Sequence, residues 1–422
     1  MSTQTVAVHE SKLVKTTDFQ VAFVVAWAFC LLFYFMEYAV RSAPSVMLPE
    51  LTKAFGLSTA GLSSLIGLYY YTYAIFAVIA GALIDRWGGK YTVPLGVLLM
   101  AAGTAMFAVD TEWVAAVGRL LQGAGAAFAF VAAVYLAAHG LPARYLATAI
   151  GITQCIGMLG GSAGQFVTAP LIHGPLAWQA LWIWAGVLTL LIAIAMYIAT
   201  PREQQSTAAP AGFWSVVEPY KVVLSNPQSY LCGLIGALLF LPTTVGAMIW
   251  GVSFLQQGWH VDYTQAVDRA AAVALGWVFG CPIIGYIADR IGRRKPVIFA
   301  GSALMLVVTL AIYYLVPETF PPYVLALLLG FGSGAAMIPY STIKEVNPDR
   351  AKGSATGAMN FMVFVFSALA GPAYGWWLQK LANGGPLTAD VFSKAGNVFV
   401  IAILLAMILT IFLRETGSAR VK

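Results

Sequence analysis

Charge is what this sequence has least of. Only 9% of its 422 residues are Asp, Glu, Lys or Arg, while 60% are hydrophobic, and the mean hydropathy is +0.81. A soluble chain carries about 25% charged residues. The deficit excludes most soluble enzymes and implies a surface turned towards lipid. The 4 cysteines, Cys30, Cys155, Cys232 and Cys281, lie in apolar stretches without a C-x-x-C pair, and the 4 histidines are scattered. That pattern excludes a disulfide framework and a metal cluster, and the cysteines read as small buried hydrophobes. Met359 and Met362, with no histidine beside them, make no copper site. No basic run interleaved with aromatics awaits nucleic acid, and no P-loop awaits a nucleotide. The first residues are polar or mixed and lack a signal-peptide pattern, so the first apolar segment reads as a retained span. No metal, no cofactor and no catalytic cluster is expected.

What is abundant is long apolar sequence. A spanning helix needs roughly 20 mostly apolar residues. Twelve stretches qualify: about 20–47, 60–84, 91–109, 112–138, 146–172, 178–199, 229–256, 265–288, 296–316, 322–343, 353–380 and 392–413. They predict an all-α membrane protein with twelve transmembrane helices in two pseudo-symmetric six-helix bundles. The N-terminal bundle is 20–199 and the C-terminal one 229–413, between a tail of 1–19 and a tail of 414–422. The segment 200–228 links them; Phe213, Val216, Val217, Tyr220 and Val223 recur there at helical spacing, which suggests a short amphipathic helix on the membrane surface. With the N-terminus cytoplasmic, 17 of the 23 Lys and Arg residues lie in cytoplasmic tails and loops. The positive-inside bias therefore puts both termini in the cytoplasm, and the net charge of +6 is a topology signal.

The two halves repeat one another. "GALIDRWGGK" (81–90) closes the second span and "GYIADRIGRRK" (285–295) closes the eighth, 204 residues later. "LPARYLATAIG" (141–151) opens the fifth span and "NPDRAKGSATG" (347–357) opens the eleventh, at an offset of 206. Two motif pairs at nearly one offset indicate a duplicated six-helix unit, the plan of a rocking transporter.

At these residues the chain resembles the major facilitator superfamily of secondary transporters. The resemblance runs over essentially the whole chain: both loop motifs, the central linker and "GRLLQGAGAA" (118–127) in the fourth span. It implies alternating access around a central site between the halves. The stretch "RSAPSVMLPELTKAFGLS" (41–58) and the second span look like the anion:cation symporters, and still more like the phagosomal transporters of amino acids and nucleosides. The resemblance also makes Gly81, Asp85, Arg86 and Gly285, Asp289, Arg290 a cytoplasmic gate. Glycines would let helices approach, and each aspartate would face a positive helix N-terminus. The copies differ at Gly89, which matches Arg293, so the first latch is expected to be weaker.

Three ionisable residues fall within spans, where each costs roughly 2.5–3.5 kcal/mol on insertion scales and is a functional candidate by default. Glu37 and Arg41 lie four apart on one face of the first span, and Arg119 lies in the fourth. Superfamily resemblance implies that spans one, four, seven and ten line the central path. It also implies a substrate role for Arg41 and a proton-coupling role for Arg119, and both arginines are expected to bind substrate. Val40 and Ala126 stand where the symporters carry acids, which leaves Glu37 as the deep acid for proton coupling. Glu37 lies about 27 Å along the helix from Phe19, so a structural pair with Arg41 near the outer surface is the competing reading. Two arginines and one acid suit a carboxylate-bearing substrate, because a guanidinium grips a carboxylate bidentately.

Tyr69 and Tyr73 share a face of the second span and are expected to line the cavity with Gln154, Asn360, Trp250 and Tyr340. Holding helices together is an equal reading for Gln154 and Asn360. "GMLGGSAG" (157–164) carries two overlapping G-x-x-x-G spacings, which read as close helix packing. The sequence thus reads as an inner-membrane secondary transporter for an amino acid or organic anion, coupled to protons and functional as a monomer in the bilayer. The alternatives are a proton-driven exporter of amphipathic compounds or metallophores, and a substrate-sensing receptor on a transporter scaffold. The drug-exporter form of the fifth span normally carries a Gly-Pro pair that this chain lacks.

Overall fold

The structure, a computed structural model, describes residues 20–141, 146–202, 220–315, 321–348 and 351–417. Helices occupy all twelve predicted stretches. They are α1 (Val21–Ser42), α2 (Thr59–Trp87), α3 (Gly89–Met106), α4 (Glu112–Gly140), α5 (Leu146–Phe166) and α6 (Trp178–Ala199) in the first half. The second half has α7 (Pro227–Leu241), α8 (Tyr263–Ile291), α9 (Lys295–Tyr314), α10 (Pro322–Ser333), α11 (Lys352–Ala382) and α12 (Ala389–Phe412). Among the described residues, 11 helices are long and apolar enough to cross a membrane. The remaining one, α3, has 18 residues and packs between α4 and α6. Large apolar side chains stay exposed on α6 (Ile183, Trp184, Leu188, Leu191) and α12 (Ile401, Leu405, Ile408), which is the surface a lipid solvent requires.

Local sequence sets the ends. Ser58 accepts from Gly61 N at the start of α2 and Asp262 from Thr264 N at the start of α8, so matched positions are capped alike. The repeated motif has a backbone reason as well. Gly88 and Gly292, 204 apart, end α2 and α8 with φ of +73° and +67°, which a residue without Cβ adopts at no steric cost. The G-x-x-x-G stretch performs the packing read from it: a Cβ on Gly160 or Gly164 would overlap the backbone of Phe35 or Ala39 in α1.

Two helices are broken. Helix α7 runs on through π turns at Pro242–Ala247 and Phe254–Gly258. Helix α10 runs on through a 3₁₀ turn at Gly334–Met337 into a helix at Ile338–Glu345. Irregular backbone at membrane depth is tolerated where protein or a cavity surrounds it. The amphipathic stretch proposed for the linker falls largely on 203–219, outside the described residues; Tyr220 begins a helical turn there and Val223 is buried.

The halves meet where α2 packs on α11 and α5 on α8. Away from the D-R motifs they are bonded: Tyr263 OH donates to Val46 O at 2.8 Å, Gln165 Nε2 to Ala247 O at 3.1 Å, and Ser63 Oγ to Gly371 O at 2.7 Å. Towards the motif end, Gly151 of α5 and Gly285 of α8 face open space, since a Cβ added at either would meet nothing within 4 Å. The described hydrogen bonds that join the halves through Tyr263, Gln165 and Ser63 thus lie away from the motif end.

Candidate functional site

Helix α1 carries the buried charge. Glu37 and Arg41, one turn apart, are ion-paired and almost fully buried. From α2, Tyr69 OH donates to Glu37 Oε1 at 2.5 Å and stands 3.4 Å from Arg41 Nη2. The Arg41 guanidinium lies in an aromatic box, 4.3 Å from the Tyr38 ring centre and 4.9 Å from those of Tyr73 and Phe364. Cations over π faces gain about 2 kcal/mol when desolvated. Phe364 comes from α11, so the box spans both halves.

Arg119 is buried one layer away. Its Nη1 donates to Gln122 Oε1 (2.7 Å) and Val40 O (3.4 Å), and its Nη2 to Ile66 O (3.0 Å). Gln122 in turn donates to Gly103 O at 3.2 Å. One guanidinium and one amide thereby tie α1, α2, α3 and α4 together. Three polar atoms of this cluster are buried without a partner: Glu37 Oε2, Arg41 Nε and Arg119 Nε.

In front of the cluster lies a small cavity between the halves. Tyr34 and Tyr38 (α1), Tyr73 (α2), Phe130 (α4) and Gln154 (α5) wall one side. Phe240 (α7), Met337 and Tyr340 (α10), and Asn360 and Phe364 (α11) wall the other. Each half supplies one tyrosine–amide pair: Tyr34 OH donates to Gln154 Oε1 at 3.2 Å, and Tyr340 OH to Asn360 Oδ1 at 2.7 Å. Both amides accept through oxygen, which leaves their N–H groups as donors. Gln154 and Asn360 are 206 apart, the offset of the second motif pair.

The structure therefore brings Tyr73, Gln154, Tyr340 and Asn360 to the cavity wall. It sets Glu37, Arg41, Arg119 and Tyr69 behind that wall, because the rings of Tyr38 and Tyr73 stand between them and the open space. Trp250 sits elsewhere, near Tyr374 and against the α2–α11 contact at Gly375. Sequence reasoning missed Tyr34, Tyr38, Phe130, Phe240 and Phe364. Tyr34 and Tyr38 share a face of α1 with Arg41, a spacing that could have found them; the phenylalanines carried no signal in one sequence.

Of the gate residues, the side chains of Asp85 and Arg86 lie outside the described residues. Gly81 has only Val131 of its own half near, at 4.0 Å from an added Cβ, and Arg290 is exposed. Asp289 Oδ1 takes a bond from Arg294 Nη1 at 2.7 Å, and Arg294 Nη2 reaches Glu345 Oε1 at 2.7 Å. The hydrogen bond to Glu345 and the bond to Asp289 push the Arg294 pKa well above its ordinary value despite partial burial. Among the described residues no group of three or more His, Cys, Asp or Glu could hold a metal ion.

Comparison with known proteins agrees with this geometry. The cis,cis-muconate transport protein of Acinetobacter baylyi is 22% identical over 402 residues, covering 90% of this chain and 94% of its own. The membrane sensor protein UhpC of Escherichia coli is 25% identical over 83% of this chain and 84% of its own. In fold, the chain superposes with a TM-score of 0.68 and 14% identity on a bacterial homolog of the human lysosomal transporter Spinster in an inward-facing, unoccupied conformation, covering 93% of this chain and 96% of that one. The family model described as Major Facilitator Superfamily matches residues 30–372. With its helical fold and central cavity between repeated halves, the chain belongs to the Major Facilitator Superfamily, a family of membrane transporters rather than enzymes.

Proposed function

We propose that this transporter moves a small carboxylate-bearing metabolite, an amino acid or organic anion, by proton-coupled symport. The observation that carries the reading is the charge behind the cavity. Glu37, Arg41 and Arg119 sum to one positive charge, and the cavity they back contains no charged side chain. An anion in the cavity supplies the missing counter-charge. At about 7 Å and an effective dielectric constant of about 20, each unit of charge is worth about 2 kcal/mol. Protonating Glu37 raises the cluster to two positive charges, so proton and anion favour each other's binding. That mutual preference is what symport requires.

The roles follow from the geometry. Glu37 carries the proton, Arg41 supplies field through one ring layer, and Arg119 holds the four helices in register. Tyr73, Gln154, Tyr340 and Asn360 contact the substrate, with amide N–H donors suited to carboxylate oxygens. The aromatic walls and modest volume favour a small, flat molecule. A relative named for muconate transport supports an organic acid.

The halves 20–199 and 229–413 rock about this cavity, joined by 200–228. The excess of Lys and Arg places the motif end and both termini in the cytoplasm of a cell whose inner membrane holds the protein. In one state of the cycle the motif end opens to the cytoplasm. In the opposite state Gly81, Asp85, Arg86, Gly285, Asp289 and Arg290 close it. A second reading, a ligand-sensing receptor, draws support from the relative named as a membrane sensor. Substrate counterflow in liposomes decides: a transporter exchanges internal for external organic acid, while a sensor binds it without flux.

A further inference from the structure

The second half holds another hollow, open on one side and apart from the central one. It lies towards the end far from the motifs, among Phe254 of broken α7, Val273 of α8, Ile312 of α9, Leu329 of α10 and Phe399 of α12. The lining is apolar apart from Arg269, Thr309 and the hydroxyl of Tyr313.

Arg269 has no counter-charge among the described residues. Its Nη2 donates to Gln265 Oε1 on the same helix at 3.1 Å, and among the described residues no carboxylate pairs with it. Its Nε is buried without a partner, as is Thr309 Oγ1. The fold does not demand this charge. Helices α2 and α8 start 204 residues apart and end their motifs 204 apart, and the position matching Arg269 in the first half is Leu65, a buried leucine. The unpartnered Arg269 Nε and Thr309 Oγ1 at this apolar hollow therefore call for an explanation.

We propose that this cavity binds a single-chain amphiphilic anion, with its acidic head on Arg269 and its hydrocarbon chain among Val273, Ile312, Leu329 and Phe399. The head supplies the missing counter-charge, and the chain fills space that is otherwise empty. Helices α7, α8, α9, α10 and α12 line the hollow, whose narrowness suits one chain rather than the two of a phospholipid.

The test is thermal unfolding of the full chain in phosphatidylcholine nanodiscs with added oleate, oleyl alcohol, lysophosphatidylglycerol or dioleoyl phosphatidylglycerol. A ligand bound only by the folded state raises the melting temperature by mass action. Oleate and lysophosphatidylglycerol are expected to raise it by a few degrees, oleyl alcohol much less. The rise should vanish in Arg269→Gln and in Ala326→Trp, which fills the cavity, and persist in Arg269→Lys and in Lys380→Gln, a charge change elsewhere. Equal rises with oleate and oleyl alcohol, or an undiminished rise in folded Arg269→Gln, would overturn the proposal. So would stabilisation by the two-chain phosphatidylglycerol but by neither single-chain anion.

Discussion

The hydroxyl of Tyr69 on α2 is 2.5 Å from Glu37 Oε1 on α1, and the same carboxylate oxygen is ion-paired with Arg41. One buried oxygen therefore takes both a neutral and a charged donor, while Glu37 Oε2 takes none. A proton arriving at Oε2 would weaken both bonds and release Arg41 towards the cavity. The ring of Tyr69 also lies 5.0 Å from the Arg119 guanidinium, so this tyrosine touches all three charges.

Tyr69→Phe removes a donor to a charged acceptor, an interaction worth about 1.5–3 kcal/mol. The carboxylate loses support relative to the neutral acid. The pH of half-maximal uptake should therefore move to the alkaline side by about 1 unit or more, at 1.36 kcal/mol per unit. A pH profile that superimposes on wild type would remove Tyr69 from the coupling.

Arg41→Ala strands Glu37 in the protein interior. Breaking a buried pair by removing one partner costs about 3–5 kcal/mol, whereas replacing both by apolar groups is often neutral. Thermal unfolding should show a large loss in Arg41→Met and in Glu37→Leu, and recovery in the double variant. Additive losses in the double variant would mean that the two side chains act separately.

Arg119→Ala leaves Val40 O, Ile66 O and Gln122 Oε1 without their donor. At about 1–3 kcal/mol for an unsatisfied buried group, a loss of at least about 2 kcal/mol in stability is expected. Arg119→Lys should recover part of it, since an ammonium lacks the planar fork. Because Arg119 lies behind the wall, the folded Lys variant should keep substrate affinity within a few-fold, read by isothermal titration. A loss of affinity by two orders of magnitude would place Arg119 in contact with substrate.

Much of this arrangement was legible in the sequence, and the limits have physical causes. Long apolar runs and repeated motifs located the helices, because a spanning segment must satisfy its backbone internally and therefore announces itself by length. Glu37, Arg41 and Arg119 stood out because charge in lipid is costly. Their depth relative to the cavity was not legible: it depends on which rings stand between, and Tyr38, Tyr73 and Phe364 come from three helices. The breaks in α7 and α10 were equally hidden, since glycine and proline mark them no more strongly than they mark unbroken α4 or α8. Tyr70, beside Tyr69 on α2, is buried as well, with its ring stacked 6.1 Å from that of Phe364.

Asp289 is held by Arg294 within its own half. The gating role proposed for it requires the aspartate to exchange that partner for the first half on closure. Asp289→Asn should favour the open motif end and raise thiol labelling from the cytoplasmic side at a cysteine placed at Asn360, about two-fold or more. Labelling equal to that of the parent cysteine variant would exclude Asp289 from the latch.

The central claim is that Glu37 couples a proton to an organic anion in the cavity in front of it. The most direct measurement compares wild type and Glu37→Gln in liposomes, for pH-driven accumulation and for counterflow of a labelled dicarboxylate such as muconate. The account predicts that Glu37→Gln loses uphill accumulation and keeps counterflow, because a neutral side chain can neither take up nor release the proton. Accumulation that still follows the pH gradient in Glu37→Gln would contradict it.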